Sequence, residues 1–286
     1  MKILITGANG QLGNEIRELA HLYPQYNFLY TDIAELDITN AAEVNRYFRF
    51  HLPDAVINCA AYTAVDKAET DAETAYLVNA TASGNLARAS QQHGAFMAHV
   101  STDYVYDGRN YRPYNETDTV NPVSVYGKSK LAGEQEVLQS GARAIIIRTS
   151  WLYSAFGNNF VKTMIKYGRE RDALNVVFDQ AGTPTYARDL AKAILDILPQ
   201  AAATGNTGIF HYSNEGVTSW YDFAKAIHEL AGINCRVSPI ATKDYPSPAE
   251  RPFFSVLDKS LIRNSFAIEI PYWRDSLKDC IKRLEP

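Results

Sequence analysis

Short apolar runs separated by helical stretches are the feature that most constrains how this chain folds. They occupy residues 2–6, 55–58, 96–100 and 144–147, and residues 26–31 fit a further strand. The hydrophobicity of each main run is continuous rather than alternating, as strands buried on both faces require. Strands that alternate with helices assemble into parallel sheets. The sequence therefore predicts a doubly wound, Rossmann-like α/β domain over residues 1–150, and this domain would bind a dinucleotide.

The regular pattern weakens after residue 150. Residues 221–230 and 277–284 still have the apolar spacing of amphipathic helices, whereas residues 246–252 (PSPAERP) are typical of an irregular connector. We expect residues 151–286 to form mainly a smaller, mixed α/β lobe that binds the substrate. Some segments of this half are expected to return to the first domain.

The composition excludes several classes of protein. Among 286 residues, 28 are Lys or Arg and 32 are Asp or Glu, so the formal net charge is −4, and 46% are hydrophobic. These values disfavour disorder and a generally basic surface for nucleic acid. The apolar start is too short for a signal peptide, and no run reaches the roughly 18 residues of a membrane helix. We therefore expect a cytoplasmic protein that binds neither nucleic acid nor membranes.

A glycine-rich turn, GANGQLG at residues 7–13, follows the first run and opens a helix. Such a turn lets backbone amides approach a pyrophosphate, and the helix N-terminus adds partial positive charge. Glycine is also common in tight strand-to-helix turns, so the position directly after a strand carries the prediction of a dinucleotide site. The turn residues expected to bind the cofactor are Gly7, Asn9, Gly10, Gln11, Leu12 and Gly13.

Asp32 ends the second strand, 19 residues beyond Gly13. An acid near this position bonds the adenosine ribose hydroxyls of NAD and would repel a 2′-phosphate. An Asp that caps a turn would occupy the same place, so both interpretations remain open. The other residues expected around the cofactor are Asp37, Ile38, Ala60, Ala61 and Thr63.

Tyr126 and Lys130 form a YxxxK arrangement at the start of a helical pattern. The spacing i, i+4 places both side chains on one helical face. A lysine ammonium beside a phenol lowers the phenol pKa, so Tyr126 could exchange a proton with a carbonyl or an alcohol. An exposed pair on any amphipathic helix shares this spacing, and a second feature is needed to decide.

That feature is a pair of hydroxyls, Ser101 and Thr102, at the end of a predicted buried strand. Open α/β sheets bind their ligands beyond the carboxyl ends of the strands. One hydroxyl there could polarise the carbonyl that Tyr126 protonates. Alternation along a strand turns the two side chains to opposite faces, and we expect Thr102 to be the catalytic one.

Seven motifs in order along the chain resemble one family. They are GANGQLG (7–13), NCAAYTAVDKAE (58–69), STDYVYDG (101–108), NPVSVYGKSKLAGE (121–134), RTSWLY (148–153), GNNF (157–160) and ERP (250–252). Together they resemble the extended short-chain dehydrogenase/reductases, and within them the reductases of dTDP-4-keto sugars. The resemblance implies reduction of the 4-keto group of dTDP-4-dehydro-β-L-rhamnose to dTDP-β-L-rhamnose, the last step in making that activated sugar.

The resemblance also implies the roles of individual residues. Tyr126 would protonate the developing alkoxide, Lys130 would lower the pKa of Tyr126 and bond the nicotinamide ribose, and Thr102 would hydrogen-bond the C4 oxygen. Arg251 would bind the substrate diphosphate. The substrate-binding residues implied are Val65, Thr102, Asp103, Tyr104, Tyr126, Trp151 and Arg251.

The cofactor and the assembly follow less directly. Asp32 favours NADH and reductive biosynthesis favours NADPH, so we expect both to be used. Some members of the family bind a divalent cation between subunits through acidic residues, one of them on the first helix. Glu15 is present here. In the region after residues 182–185, where the resemblance implies another acid, the sequence instead reads YARD, which includes Arg188 and Asp189. We therefore expect no metal, and a monomer or a homodimer.

Three other functions share parts of this pattern. A nucleotide-sugar dehydratase would carry an Asp-Glu pair after Thr102, where this chain has Asp103 and Tyr104. A nucleotide-sugar 4-epimerase remains a possible function, although epimerases lack the TAVDKAE and RTSW motifs that this chain contains. A non-catalytic subunit, like the regulatory subunit of methionine adenosyltransferase, would not need Thr102, Tyr126 and Lys130 together.

Overall fold

The computed structural model describes residues 1–284. Its strands are β1 (Lys2–Thr6), β2 (Asn27–Thr31), β3 (Ala55–Asn58), β4 (Phe96–Thr102), β5 (Ala144–Thr149), β6 (Leu152–Tyr153), β7 (Ala173–Val177), β8 (Ala181–Gly182), β9 (Thr185–Tyr186), β10 (Gly208–His211), β11 (Thr218–Ser219) and β12 (Arg236–Ile240). Its α-helices are α1 (Gln11–Leu19), α2 (Ala41–His51), α3 (Val65–Ala68), α4 (Ala72–Tyr76), α5 (Ala82–His93), α6 (Val125–Gln139), α7 (Phe160–Glu170), α8 (Ala187–Thr204), α9 (Trp220–Leu230), α10 (Ser260–Phe266) and α11 (Trp273–Leu284).

A six-stranded sheet with the order β10-β5-β4-β3-β1-β2 forms the centre of the molecule. All of its strand pairs are parallel. The predicted doubly wound α/β fold is therefore confirmed. β4 and β5 each continue two residues beyond the predicted runs, because Ser101 pairs with Arg148 and Thr102 pairs with Thr149.

The continuous hydrophobicity of the strands is explained by helices on both faces of the sheet. Ile3 and Ile5 of β1 pack against α1 and α8 on one face of the sheet, whereas Leu4 packs against α2 and α5 on the opposite face. Because successive side chains of a strand point to opposite faces, a sheet covered on both sides needs apolar residues at every position.

The chain order places a ligand crevice at one edge of this sheet. β2 lies on one side of β1 and β3 lies on the other, so the strand order reverses there. Ligands of open α/β sheets bind outside the carboxyl ends of the strands at such a switch point. The glycine turn after β1 and the Cys59–Thr63 segment after β3 both leave the sheet at this place.

A second core lies among α7, α9, α11, β7 and β12. Its largest members include Tyr153, Phe223 and Trp273. β7 pairs with β12 in parallel, apart from the central sheet. The chain returns between these elements to the first sheet, since β10 pairs with β5 and α8 packs against α1.

Glu15 of α1 is fully buried and ties the first helix to later parts of the chain. Arg283 donates to both of its carboxylate oxygens, at 2.8 and 3.0 Å, and Arg188 lies 3.3 Å away. Ser154 donates a further hydrogen bond at 2.6 Å. Two guanidinium groups thus neutralise this buried acid. Within residues 1–284 no three His, Cys, Asp or Glu side chains are grouped to hold a metal ion.

None of the helices described here combines the length and the apolar character that crossing a bilayer requires.

Candidate active site

Two adjoining cavities lie along the carboxyl edge of the central sheet. We call them the Asp32 cavity, about 370 Å³, and the Tyr126 cavity, about 570 Å³. Gly10, Cys59 and Ala61 line both of them. The crevice therefore continues from the end of β2 to the catalytic helix α6, as a dinucleotide would require.

The cavities collect most of the predicted site residues. Those that line the Asp32 cavity are Gly7, Gly10, Asp32, Asp37, Ile38, Ala60 and Ala61. Those that line the Tyr126 cavity are Gly10, Gln11, Leu12, Ala61, Thr63, Val65, Thr102, Asp103, Tyr104, Tyr126, Lys130 and Trp151. Of the described residues predicted for the site, Asn9, Gly13 and Arg251 line neither cavity.

The glycine turn has the geometry of a phosphate cradle. Gly7 has a φ of +63°, and a Cβ at this position would lie 2.7 Å from the Cα of Ala60. A Cβ on Gly13 would lie 2.5 Å from the Cα of Ala8, so this glycine allows α1 to pack closely against the turn. Gly10 precedes α1 without a side chain to cap it, and the first amides of the helix face the crevice edge. The turn thus fits a dinucleotide pyrophosphate.

Carboxylates surround the far end of the Asp32 cavity. Asp32 accepts hydrogen bonds from the backbone amides of Asn9, at 3.0 Å, and Ile33, at 2.9 Å. Glu35 accepts from the amide of Asp32 at 2.9 Å, and Asp37 lines the same cavity. Asp32 therefore caps its turn and also faces the cavity, so the two interpretations left open by the sequence are compatible.

Tyr126 and Lys130 both lie in α6 and both line the Tyr126 cavity. The Tyr126 ring packs edge-on against Tyr104, with centroids 5.4 Å apart and an interplanar angle of 77°. Lys130 is only 2% exposed, and its Nζ donates to the Val100 carbonyl at 2.7 Å. The helical spacing thus brings the phenol and the ammonium to one wall, as the sequence predicts.

Burial dominates the pKa values of this pair. Burial raises the pKa of Tyr126 to about 12, against an opposing effect of the Thr102 hydroxyl. Burial also lowers the pKa of Lys130 to about 8, and the Glu134 carboxylate acts against this. The pKa of Tyr126 is therefore raised in this structure, because burial is the largest effect on it, and Lys130 donates to the Val100 carbonyl. The expected effect of Lys130 on the Tyr126 pKa stays a prediction. Tyr126 is protonated at neutral pH, which is the form that donates a proton.

The two hydroxyls at the end of β4 have separate partners. Ser101 donates to the Glu134 carboxylate at 2.5 Å, within a buried network. Thr102 donates to Oδ1 of Asp103 at 3.0 Å and accepts from the amide of Tyr104 at 3.3 Å. Both residues line the Tyr126 cavity, and Ser101 donates its hydroxyl proton to the buried Glu134. The catalytic role of Thr102 stays a prediction.

Asp103 is a buried carboxyl group in the wall of the Tyr126 cavity. It is 3% exposed, and its Oδ2 has no hydrogen-bond partner within the described residues. Burial raises its pKa to about 6, although Ser255 and Thr102 act in the opposite direction. An acid with this pKa is partly protonated near neutral pH and offers either a donor or an acceptor to a ligand.

Asp103→Asn is expected to change how stability depends on pH. The folded-state pKa lies above the ordinary 3.8, so the wild type loses stability as the pH rises through about 6. The asparagine side chain does not titrate, so the variant does not lose stability in this way. Between pH 3.5 and 7, its free energy of unfolding should rise by up to about 3 kcal/mol relative to that of the wild type. Urea unfolding at a series of pH values measures the difference, and a difference that is constant with pH would contradict the prediction.

Asp66→Asn is the matched control for that experiment. Burial acts to raise the pKa of Asp66, but the hydrogen bond and charge of Arg251 hold it below its ordinary value. Stability from Asp66 is therefore present above its unfolded-state pKa and lost as the pH falls. Asp66→Asn should therefore be less stable than wild type at neutral pH, whereas Asp103→Asn should be more stable than wild type.

Arg251 lies beside the cavity and forms an ion pair. Its Nη2 donates to Asp66 at 2.7 Å, next to Val65 in the cavity wall. The ERP segment is thereby fixed to α3, across the space between the two halves of the chain. The role of Arg251 in diphosphate binding stays a prediction, supported by its position rather than by a place in the lining.

Comparison with known proteins decides the family. The family model described as "RmlD substrate binding domain" matches residues 1–285. The chain belongs to this family. The finding confirms the resemblance inferred from the motifs, which extend from the glycine turn to the ERP segment.

Similar proteins carry a common description. A dTDP-4-dehydrorhamnose reductase of Aggregatibacter actinomycetemcomitans is 43% identical over 286 residues, which cover 97% of each chain. The crystal structure of a dTDP-4-dehydrorhamnose reductase from Clostridium acetobutylicum is 46% identical, with a TM-score of 0.95 and complete coverage of both chains. A structure of dTDP-4-dehydrorhamnose reductase from Bacillus anthracis, in complex with NADP, is 40% identical, with a TM-score of 0.93 and 99% coverage of each chain.

The sequence reasoning missed a buried charge network beneath this family's site. Arg148 donates to both carboxylate oxygens of Glu134, at 2.9 and 2.6 Å, and to the hydroxyl of Tyr106 at 2.7 Å. Glu134 also accepts from Ser101 and lies one turn beyond Lys130. The i, i+4 step from Lys130 to Glu134 was the available signal, because it continues the face that carries Tyr126.

Asn158 and Asn159 also line the Tyr126 cavity without having been predicted as site residues. Asn159 caps α7 by accepting from the amide of Lys162, and its side chain donates to Gln11 at 3.0 Å. It therefore joins the start of α1 to the second half of the chain. The GNNF motif was the signal that could have identified it.

Proposed function

We propose that this chain is a dTDP-4-dehydrorhamnose reductase, which reduces the 4-keto group of dTDP-4-dehydro-β-L-rhamnose to dTDP-β-L-rhamnose with NADH or NADPH. The observation that carries the proposal is the meeting of Tyr126, Lys130 and Thr102 in one cavity that adjoins the Asp32 cavity. The family and the descriptions of relatives with near-complete coverage support it.

The chemistry requires a hydride on carbon and a proton on oxygen. A reduced nicotinamide bound in the crevice supplies the hydride. Tyr126 donates its phenolic proton to the carbonyl oxygen as the carbon–oxygen double bond becomes a single bond, and the phenol is in its protonated form at neutral pH. Thr102 turns its hydroxyl proton from Asp103 to the same oxygen and stabilises the negative charge that develops there.

Lys130 serves as a fixed positive charge beside Tyr126. Its ammonium is anchored on the Val100 carbonyl, and the Glu134 carboxylate one turn away favours the charged form. After Tyr126 gives up its proton, the ammonium stabilises the phenolate electrostatically. The residues around it exclude water, which strengthens this interaction.

The two halves of the chain would share the ligands. We assign the dinucleotide to residues 1–150, and the sugar nucleotide mainly to residues 151–286 together with Val65, Tyr104 and Asp103. Trp151 would form an apolar wall for the sugar. Arg251 would bind the diphosphate, because Asp66 fixes its guanidinium beside the cavity, and Asp66 and the Ala249 carbonyl together use only two of its five N–H donors.

A reductase is favoured over a dehydratase of the same fold. Elimination of water needs a second acid–base group after Asp103, and Tyr104 stands there instead. Burial raises the pKa of Tyr104, so the Tyr104 phenol is a poor base.

Cys59, Cys235 and Cys280 are free thiols, which suits a reducing compartment. We therefore place the enzyme in the cytoplasm, as a monomer or homodimer.

The direct test measures the reaction itself. Purified protein should oxidise NADH and NADPH when dTDP-4-dehydro-β-L-rhamnose is present, and nuclear magnetic resonance should identify dTDP-β-L-rhamnose as the product. dTDP-glucose, which has no ketone, is the control and should give no oxidation. A protein that binds the dinucleotide but leaves the keto sugar unreduced would contradict the proposal.

A further inference from the structure

Trp151 has an unusual backbone conformation for an aromatic residue. Its φ of +47° lies in the left-handed region, which bulky side chains rarely adopt. Neighbouring hydrogen bonds hold it there. The Trp151 carbonyl accepts from the amide of Thr185 at 3.1 Å, and Ser150 donates from its side chain to the Thr183 carbonyl at 2.8 Å. A strained conformation that its surroundings fix so closely is typical of functional sites.

The Trp151 indole has two close neighbours. It stacks on Trp220 with ring centroids 3.6 Å apart and an interplanar angle of 10°. It also lies against Gly182, where a Cβ would come within 2.6 Å of the Cε2 atom of Trp151. Only glycine leaves room for the indole at this distance. Neither Trp220 nor Gly182 is among the described residues that line the Tyr126 cavity, whereas Trp151 is.

Strand pairing and aromatic packing fix these two neighbours within the second half of the chain. Gly182 pairs with Thr218 in the β8–β11 ladder, and Trp220 begins α9 two residues later. Trp220 in turn packs on Phe160, with centroids 4.6 Å apart. Any movement of the Trp151 ring away from the cavity is therefore opposed by elements outside it.

We propose that Trp220 and Gly182 are positioning residues that hold the Trp151 indole and thereby set the width of the Tyr126 cavity at its sugar end. The inference rests on the proposed function, since it takes the ligand at this wall to be the sugar ring of a nucleotide sugar. The left-handed backbone of Trp151 orients its indole, and Trp220 stacks on one face of that indole. Gly182 leaves the space that the indole occupies.

Variants at the two positions test the proposal from different directions. Gly182→Ala places a methyl group where the indole lies and should push the ring into the cavity. Trp220→Leu removes the stacked surface and should leave the ring loose. Each is expected to raise KM for the keto sugar about tenfold, while KM for NADH stays within about twofold. Trp220→Phe keeps a planar ring and should raise the sugar KM only about threefold.

The control is the third tryptophan of the chain. Trp273 packs on Phe223 and Tyr272 in the second core, so Trp273→Phe should leave both KM values unchanged. Two indoles stacked at 3.6 Å also couple as an exciton in far-ultraviolet circular dichroism. This signal should be present in wild type and Trp273→Phe and absent in Trp220→Phe. It reports the stack without depending on activity.

The outcomes separate this inference from the proposed function. A wild type that does not reduce the keto sugar refutes the function, whatever the spectrum shows. A wild type that reduces it, together with an unchanged sugar KM in every variant that folds, refutes the positioning role alone. Trp220→Phe preserves most of the packing and keeps this decision available if Trp220→Leu or Gly182→Ala does not fold. Equal increases in KM for the sugar and for NADH also refute it, because they indicate a general structural loss.

Discussion

Replacing Tyr126 with phenylalanine is expected to lower kcat about a thousandfold, because the reaction then loses its proton donor. The variant removes only the phenolic oxygen and keeps the ring that packs edge-on against Tyr104. Binding of the dinucleotide should survive, since the Asp32 cavity and the glycine turn are untouched. Steady-state kinetics with the keto sugar, combined with fluorescence titration of NADH, measures both quantities.

Tyr62→Phe provides the matched control for that loss. Its hydroxyl donates to Asp71 at 3.1 Å, and Tyr62 is not among the described residues that line the Tyr126 cavity. Removal of this phenolic oxygen should leave kcat within about twofold of wild type, because no reacting atom is affected. If Tyr126→Phe retained kcat near the wild-type value, another group would have to be the acid, and the assignment of Tyr126 would be wrong.

The parts of the site that depend on local sequence were predictable. The strand over residues 2–6 is covered on both faces, and its centre, Ile3, Leu4 and Ile5, is a continuous apolar run that predicts a buried strand. Tyr126 and Lys130 are four residues apart in a helix, so their common face follows from helical geometry alone. Thr102 follows in the same way from its place at the end of a buried strand.

The parts that depend on enclosure were not predictable. The sequence indicates that Lys130 should lower the pKa of Tyr126, but the size of the opposing burial effect is set by the walls of the cavity. The stack of Trp151 on Trp220 joins a residue of the RTSWLY motif to a residue outside all seven motifs, and no local pattern connects them. The pairing of Glu15 with Arg283 spans 268 positions, so its charge balance could only be seen in the folded chain.

The choice between NADH and NADPH depends on the charge at the end of β2. Asp32 is held by the amides of Asn9 and Ile33, and Asp37 lines the same cavity. Among the described residues that line the Asp32 cavity there is no Lys or Arg to pair with a 2′-phosphate. The carboxylate suits the ribose hydroxyls of NADH and repels the extra phosphate of NADPH. We therefore expect the wild type to use both cofactors, and to reduce the keto sugar faster with NADH than with NADPH when the cofactor concentration is low.

Asp32→Ala is expected to raise the ratio of kcat/KM for NADPH to that for NADH by about 10- to 100-fold, since it removes a repulsion and a ribose hydrogen bond together. Asp32→Asn separates the two effects because it removes the charge and keeps a hydrogen-bonding group. Glu35→Gln is the matched control: it neutralises an exposed carboxylate that bonds only the amide of Asp32, and it should change the ratio by no more than about threefold. An unchanged ratio in Asp32→Ala would mean that the carboxylate acts as a turn cap alone. The charge argument would then fail, and the glycine turn could not replace it, because both cofactors contact that turn alike.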